Sequence, residues 1–503
     1  MGIIKKYVAV DLGAESGRGI IGEFNGEKIQ IKEIHRFPTY NTKVFSHIFW
    51  DVLKIFDEIK VILRKATAEG EINGVGITTW GVDCGFIGKG NLLLTNPFHY
   101  RDRRTDGIME EVFNIIPEKE IFKKTGIQFM PINTLYQLYA TKKEFPYIIN
   151  STEKILFMPD LFNFFLTGEK FSEYTIATTS QIYNSLLDGQ PEAPRGNWNY
   201  DIMEKLGLPV NILPEVISPG SFIGKIEKNI SEEIGTSEIN VYAVCSHDTA
   251  SAVVSVPAKE ERWAYISSGT WSLLGVEIPE PVINEKSFNY NFTNEGGYGG
   301  SIRFLKNIMG LWILQECKRY WEKEGKSFDY PSLTEMASKA EPFYSFIDVD
   351  DKQFLLPGNM PEKIKNYCKK TEQKVPEDIG QIVRVILESL AMEYRYNIEN
   401  LEETIENKID VVYIVGGGSK NKLLSQFAAS SIRKVVITGP SEATATGNLL
   451  VQAIGEKEIS DVSQLREIVR SSFPLIIFHP ENTSEWEENY EKYRNLKEFH
   501  NGF

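Results

Sequence analysis

One plan of strand, small-residue turn and strand occurs twice in the chain and constrains the fold more than any other feature. The first copy is VAVDLGAESGRGIIG, residues 8–22, and the second is RWAYISSGTWSLLGV, residues 262–276. Each joins two short apolar runs through a turn of small residues, as a β-hairpin does. The repetition indicates a duplicated unit. Two hairpins that present backbone N–H groups predict that two domains hold a chain of phosphates from both sides.

The length and charge of the chain bound its class. A chain of 503 residues exceeds one comfortable hydrophobic core, which predicts two domains, residues 1–244 and 245–503, with a cleft between them. The formal charge of −14 offers no basic surface for nucleic acid or an anionic membrane. Widely spaced cysteines, no signal-like start and no run of about 18 apolar residues indicate reduced thiols and a cytoplasmic protein.

Apolar spacing predicts the local structure near the N-terminus. The runs Tyr7–Val10, Gly19–Phe24 and Ile29–Phe37 alternate as strands do and predict a meander. Residues 52–65 carry apolar side chains at helical spacing, which predicts a helix with a buried face that includes Leu53.

Asp11 stands where the first strand of the meander meets the turn. A carboxylate there suits Mg²⁺ and its water shell, while the turn N–H groups of residues 14–18 receive phosphate oxygens and Arg18 adds a cation. The alternative is a plain hairpin in which an aspartate ends a strand.

Asp248 follows the predicted strand Val241–Cys245 and precedes a helix of small residues. It could cap that helix, since aspartate is a preferred N-cap. It could instead accept the proton of a sugar hydroxyl that attacks a phosphoryl group. The neighbouring His247 could donate to such a hydroxyl, or it could be a packed polar residue.

Two further segments suit a sugar. Trp80-Gly81-Val82-Asp83 combines an indole, a bare backbone and a carboxylate, and residues 99–104, HYRDRR, form a dense polar loop. Each has a structural alternative, since the indole could belong to the core and the loop could be a solvated ion-pair network.

The C-terminal half has its own glycine-rich turn. Val411–Val415 predicts a strand that breaks into Gly416-Gly417-Gly418, where a planar group could lie against bare backbone, although any strand-to-helix turn could look the same. Residues 440–448 predict a closely packed scaffold helix beside the nucleotide. Asn307 and Gln315, eight residues apart, are predicted on one helix face.

Taken together and in order, twelve motifs cover nearly the whole chain and resemble the FGGY family of carbohydrate kinases. They are VAVDLGAESGR, TTWGVDCG, HYRDRRTDG, TGIQFMPINTLYQL, MPDLFNFFLTGE, EYTIATTSQ, SHDTASAV, YISSGTWSLLG, NFTNEGG, LKNIMGLWILQEC, VGGGSKN and EATATGN. The resemblance implies two actin-like, ribonuclease-H-like α/β domains around a catalytic cleft. It implies transfer of the ATP γ-phosphoryl group to the 1-hydroxyl of L-rhamnulose with Mg²⁺, and no nucleic-acid or membrane partner.

The resemblance also implies a role for each matching residue. The phosphates of ATP would be held by Ala14, Glu15, Ser16, Gly17, Arg18 and Thr270. The rest of the nucleotide would contact Gln315 and Gly417. The sugar would be bound by Gly81, His247, Asp248 and Thr249. Asn307, which would lie alongside the nucleotide residues, would also contact the substrate. Asp248 would be the proton acceptor, and Asp11 would organise Mg²⁺ through water.

One position departs from the family pattern and leaves the substrate open. Cys84 follows Trp-Gly-Val-Asp where an aromatic residue is expected, which bears on sugar preference. The alternatives are a kinase of another ketose, such as L-fuculose or D-xylulose, or of glycerol. A non-enzymatic ATP-binding switch on the same fold and an ATP-independent sugar-binding regulator are the alternatives from other classes.

Overall fold

The predicted meander at the start of the chain is present in the computed structural model, which describes residues 4–185, 194–236 and 238–501. The strands of this part of the chain, numbered in order, are β1 (Lys5–Leu12), β2 (Ser16–Phe24), β3 (Ile29–Pro38), β4 (Asn41–Val44), β5 (His47–Trp50), β6 (Gly74–Thr79), β7 (Cys84–Gly88), β8 (Thr152–Phe157), β9 (Phe171–Glu173), β10 (Tyr183–Asn184), β11 (Asn197–Trp198), β12 (Glu215–Ile217), β13 (Phe222–Lys225), β14 (Asn240–Tyr242), β15 (Trp263–Ser268), β16 (Trp271–Ile278), β17 (Thr293–Gly296), β18 (Ile302–Met309), β19 (Val411–Val415), β20 (Val435–Thr438) and β21 (Ile476–Phe478).

The helices are numbered in the same way. They are α1 (Val52–Ala68), α2 (Ile108–Phe113), α3 (Glu118–Thr125), α4 (Thr134–Glu144), α5 (Pro146–Ser151), α6 (Met158–Thr167), α7 (Tyr174–Ala177), α8 (Tyr200–Lys205), α9 (Lys228–Ile234), α10 (Asp248–Val254), α11 (Glu285–Asn289), α12 (Trp312–Lys323), α13 (Tyr330–Lys339), α14 (Lys352–Leu355), α15 (Met360–Lys370), α16 (Ile379–Ile405), α17 (Lys422–Ile432), α18 (Ala443–Gly455), α19 (Val462–Ser472) and α20 (Thr483–Asn501). Across the described ranges, none of them has the length and apolarity that crossing a bilayer requires.

The chain divides into two compact units whose segments alternate along the sequence. The first unit consists of Met1–Pro257, Glu277–Phe304 and Ala443–Phe473. The second consists of Ala258–Val276, Leu305–Glu442 and Pro474–Phe503. Two later segments of the chain thus belong to the first unit. The domain boundary between residues 244 and 245 stays a prediction.

A six-stranded sheet organises the first unit, in the order β13-β14-β6-β1-β2-β3. Strand β1 pairs antiparallel with β2 and parallel with β6, and β14 also runs parallel with β6. The predicted helix is present as α1, which begins after Asp51, whose side chain accepts the Lys54 N–H at 3.1 Å. Ile55 and Ile59 are buried in the core, but Leu53 is exposed and lies outside the predicted face.

Helix α18 completes the core of the first unit although it comes late in the chain. It packs on β1 and β6, where the Gln452 side chain donates to the Val8 carbonyl at 3.0 Å. It also packs closely on α10, because a Cβ at Gly447 would lie 1.8 Å from the Ser251 carbonyl oxygen. The small residues predicted to permit close packing therefore do so.

A seven-stranded sheet repeats the plan of the six-stranded one. Its strands follow the order β17-β18-β16-β15-β19-β20-β21, and β15 pairs antiparallel with β16 and parallel with β19. The neighbours β3-β2-β1-β6-β14-β13 thus correspond to β18-β16-β15-β19-β20-β21, and the last strand of each series is antiparallel to its neighbour. The duplication predicted from two hairpins extends to six strands.

The predicted helix carrying Asn307 and Gln315 on one face is wrong. Asn307 lies in β18, whereas Gln315 lies in α12. The two elements are separated at Gly310, where a Cβ would lie 2.6 Å from the Trp271 carbonyl carbon. Only glycine allows this approach to the second hairpin, so the chain ends its strand there and starts a helix.

Candidate active site

The first hairpin turn is fixed by its own backbone and by Thr39, the residue that follows β3. The Gly13 N–H donates to the Ser16 carbonyl at 3.0 Å, and the Thr39 hydroxyl donates to the Gly13 carbonyl at 2.6 Å. The Thr39 N–H donates to the Glu15 carbonyl at 3.0 Å. The predicted phosphate-binding residues 14–18 therefore lie in a turn with a defined backbone.

Asp11 is buried at the end of β1 and forms an ion pair with Arg18 across the hairpin. Within the part of the chain that the structure describes, no three His, Cys, Asp or Glu side chains cluster as metal ligands. The donor set therefore does not form a dedicated cage. It fits the way Mg²⁺ is commonly held, by one or two carboxylates together with waters and substrate phosphates.

The candidate sugar residues and the first hairpin lie at the same edge of one sheet. Leu12 is the register partner of Thr79, and Thr79 in turn bridges to His247, with its N–H donating to the Ser246 carbonyl at 2.9 Å. Since neighbouring strands are about 4.8 Å apart, Leu12 and His247 are about 10 Å apart. Asp11 and Asp248 each lie one residue from this row.

Asp248 is the first residue of α10, and its side chain is 34% exposed. One carboxylate oxygen accepts the Thr249 N–H at 2.5 Å and the Thr249 hydroxyl at 3.2 Å. The N-cap position belongs to His247, which makes no side-chain capping bond. Asp248 is therefore not the N-cap residue, and although Thr249 donates to one of its oxygens, the side chain is exposed enough to be accessible to a ligand.

His247 joins Asp248 to two buried charged residues. Its Nε2 lies 3.5 Å from Asp248 Oδ1, and its Nδ1 lies 3.2 Å from Arg303 Nη2 and 3.4 Å from Glu295 Oε2. Sequence reasoning missed Glu295 and Arg303. The available signal was an arginine inside the apolar run Ile302-Arg303-Phe304-Leu305, because charged residues are seldom fully buried without a partner.

A second buried carboxylate fixes the backbone that leads into α10. Glu173 accepts the Ser246 N–H at 3.0 Å and the Thr175 hydroxyl at 2.6 Å. The Thr175 hydroxyl oxygen accepts the His247 N–H at 3.2 Å. Burial raises the pKa of Glu173 to about 7 despite these hydrogen bonds. The residues before Asp248 are therefore held by contacts that no local sequence pattern reveals.

Gly81 faces the same space as His247. A Cβ at Gly81 would lie 3.2 Å from Thr179 Oγ1 and 3.5 Å from His247 Nε2. A larger residue would therefore occupy the volume beside the histidine. The structure brings Gly81, His247, Asp248 and Thr249 together as predicted neighbours within the first unit.

Trp80 is a core residue and not an exposed platform for a sugar. Its indole N–H donates to Asp83 Oδ2 at 2.9 Å, and the Trp50 indole N–H donates to the same oxygen at 2.6 Å. The Tyr100 N–H does so at 3.2 Å. Burial raises the pKa of Asp83 to about 6 although these bonds favour its charged form. Cys84, the next residue, is buried as well, and burial raises the pKa of its thiol to about 12.

Asp83→Leu is expected to destabilise the fold, because the two indole N–H groups lose their acceptor inside the core. Each buried donor left without a partner costs about 1–3 kcal/mol. Urea denaturation measures the free energy of unfolding. Asp83→Asn, which keeps an acceptor oxygen and the side-chain volume, is the matched control. Equal losses in the two variants would contradict this explanation.

The polar loop at residues 99–104 is mostly packed rather than solvated. Arg104 is buried and donates to the Gln137 carbonyl at 2.6 Å, and Asp102 accepts the Ile48 N–H at 2.6 Å. Arg103, paired with Asp106 at 2.8 Å, forms an exposed ion pair of the kind that the network alternative predicted. The loop therefore supports the wall around Trp50 and does not form a free charged surface.

The second unit assembles its own set of predicted residues. The Thr270 hydroxyl, in the turn of the β15–β16 hairpin, donates to Gln315 Oε1 at 3.2 Å. The Trp312 N–H donates to the Thr270 carbonyl at 3.1 Å, so the start of α12 packs on this turn. Asn307, in β18, is half-buried, and its predicted contact with the substrate stays a prediction.

The glycine triplet lies against the end of β15. Gly416 has a φ of +81°, and a Cβ at Gly418 would lie 2.0 Å from Ser268 Oγ. Both positions therefore require glycine. Gly417 differs, because a Cβ there would have no atom within 4 Å. Its backbone faces open space beside the hairpin that carries Thr270, as a surface for a planar group would.

Comparison with known proteins gives a family for nearly the whole chain. Residues 6–255 match the N-terminal domain of the FGGY family of carbohydrate kinases, and residues 264–456 match its C-terminal domain. A rhamnulokinase from Bacteroides thetaiotaomicron is 41% identical over 493 residues, which cover 98% of this chain and 99% of the relative. A rhamnulokinase from Oceanobacillus iheyensis is 43% identical over 472 residues, covering 94% and 97%.

Solved structures share the fold at low sequence identity. A gluconate kinase from Lactobacillus acidophilus aligns with a TM-score of 0.79 at 15% identity, covering 99% of this chain and 98% of the other. A Plasmodium falciparum glycerol kinase with ADP aligns with a TM-score of 0.76 at 15% identity, with the same coverage. At this identity the likeness concerns the fold alone.

Proposed function

The chain belongs to the FGGY family of carbohydrate kinases, and on this premise we propose that it phosphorylates L-rhamnulose at the 1-hydroxyl, forming L-rhamnulose 1-phosphate and ADP from ATP. The observation that carries the choice of sugar is the set of seven relatives named rhamnulokinase, 36–43% identical over nearly their full length. As a carbohydrate kinase the chain uses ATP. The sugar and the role of each residue are parts of the proposal.

The first unit supplies the groups for the sugar. The Asp248 carboxylate accepts the hydroxyl proton while the sugar oxygen bonds to the γ-phosphorus and the bond from that phosphorus to ADP breaks. Gly81, His247 and Thr249 bind the sugar beside it. This assignment is supported by the accessible carboxylate of Asp248 and by the space over Gly81.

The groups for the nucleotide come from both hairpins. The turn residues 14–18 and Thr270 hold phosphate oxygens, and Gln315 and Gly417 contact the remainder of ATP. The hydrogen bond between Thr270 and Gln315 and the open face of Gly417 support this part of the proposal. Asp11, through water, would hold Mg²⁺, which supplies positive charge to the phosphate oxygens. Little covalent chemistry is asked of the protein, because phosphoryl transfer depends mainly on positioning and charge neutralisation.

ADP release with ATP and Mg²⁺ tests the substrate. We expect fast release with L-rhamnulose and little with L-fuculose, D-xylulose, glycerol or no sugar. Fast release with another compound would overturn the sugar but keep the kinase, and release independent of any sugar would favour an ATP switch. The L-rhamnulose product should carry its phosphate on the 1-oxygen, which ³¹P–¹H correlation identifies directly.

A further inference from the structure

Arg303 occupies a position that is costly for an arginine. Its side chain is fully buried in β18, where Nε donates to the Gly296 carbonyl at 2.8 Å and Nη2 donates to Glu295 Oε2 at 3.0 Å. Nη1 is buried and has no hydrogen-bond partner among the described residues. Because an unsatisfied buried donor destabilises a fold, stability alone does not account for this residue.

The third contact of Arg303 constrains the chemistry of His247. Nη2 lies 3.2 Å from His247 Nδ1. A guanidinium has five N–H donors and no acceptor, and it stays protonated in proteins. Nδ1 must therefore accept this hydrogen bond. In the neutral ring the proton then resides on Nε2.

The proton-bearing nitrogen faces the sugar residues. Nε2 lies 3.5 Å from Asp248 Oδ1, and a Cβ at Gly81 would come within 3.5 Å of it. An N–H at this place can donate to the carboxylate or to a hydroxyl group bound over Gly81. The other tautomer would present a lone pair to Asp248, which repels a carboxylate and cannot donate to a sugar oxygen.

Glu295 holds Arg303 in place and also competes with it for His247 Nδ1. Burial disfavours the charge of Glu295, but the Arg303 guanidinium beside it outweighs burial and keeps the pKa of Glu295 below its ordinary value. Its Oε2 lies 3.4 Å from His247 Nδ1. If Arg303 were absent, this carboxylate would attract a proton on Nδ1 and favour the opposite tautomer.

We propose that Arg303, oriented by Glu295, fixes His247 in the Nε2–H tautomer and so makes it a directed hydrogen-bond donor beside Asp248. Arg303 and Glu295 are positioning residues, because they act through His247. The proposal deepens the proposed function and rests on it for the role of the donor in sugar binding, whereas the tautomer itself belongs to the resting protein.

The tautomer is measured on sugar-free protein labelled with ¹⁵N in its six histidines. Long-range ¹H–¹⁵N correlation distinguishes a pyrrole-type from a pyridine-type nitrogen, and the signals of His247 are identified by their loss in His247→Gln. We expect pyrrole-type Nε2 and pyridine-type Nδ1 in the unchanged chain. The reverse pattern would overturn the proposal without any variant having to fold, and it would leave the proposed kinase activity untouched.

Arg303→Met provides the second test. We expect His247 to change to the Nδ1–H tautomer and kcat/KM for the sugar to fall about 10- to 100-fold, the range of one hydrogen bond that involves a charged group. KM for ATP should change less than about 3-fold. The matched control is Arg466→Met, which removes another largely buried arginine of the first unit, paired with Glu277 at 2.6 Å. Equal losses of kcat/KM in both variants, or an unchanged tautomer in folded Arg303→Met, would contradict the proposal.

Discussion

Replacing Asp248 by asparagine is expected to lower the turnover of the sugar about 10²- to 10⁴-fold, the range that a general base contributes. The amide cannot accept the proton of the attacking hydroxyl at the point where the bond to phosphorus forms. It still offers an oxygen to the Thr249 N–H, which the native carboxylate accepts at 2.5 Å. The start of α10 should therefore be preserved, and the loss should be chemical.

The variant is measured by steady-state ADP release and by titration with ATP. ATP should bind with nearly unchanged affinity, because the nucleotide groups are assigned elsewhere. Asp461→Asn is the matched control, since Asp461 also accepts an N–H at the start of a helix of the first unit, at 2.9 Å from Gln464 N. Turnover near the native value in Asp248→Asn would contradict the assignment of Asp248 as the general base.

The second large effect is expected from Gly417→Phe, which should raise KM for ATP about 30- to 100-fold. A side chain at this position meets no protein atom within 4 Å, and the backbone is not in the left-handed region. The protein should therefore tolerate it with little change in stability. Excluding a ligand from about 100 Å² of this surface removes about 2–3 kcal/mol of binding.

Gly418→Ala, one residue later, is the contrasting control. Its added methyl group would lie 2.0 Å from Ser268 Oγ, so this variant should lose stability before it loses affinity for ATP. Thermal unfolding without ligand separates the two effects. If Gly417→Phe changed only KM for the sugar, the triplet would have been assigned to the wrong substrate.

Sequence periodicity was sufficient to predict the helices and strands that are formed by residues close together in the chain. The meander, helix α1, strand β19 and the repeated hairpin were all predicted, and the actin-like two-domain fold is confirmed by the solved carbohydrate kinases of the same fold. Leu53 was assigned to the buried face because its spacing fits a helix, although it is 60% exposed. Periodicity does not show where the partner surface of a helix ends.

The features of the fold and of the site that the sequence did not predict depend on contacts between distant parts of the chain. Glu295 and Arg303 act on His247 from positions 48 and 56 residues away, and no local pattern connects them. Gly310 separates β18 from α12 because the backbone at Trp271 approaches it, a contact that a helical-spacing argument cannot contain. The assignment of individual residues to ATP and the sugar stays a prediction.

The return of residues 443–473 to the first unit has a consequence for biosynthesis. Helix α18 covers β1 and β6, and its Gln452 side chain donates to the Val8 carbonyl. Translation proceeds from the N-terminus, so the first strands leave the ribosome long before this helix exists. The first unit cannot close its apolar core until nearly the whole chain has been made, and it must keep those strands from pairing wrongly in the meantime.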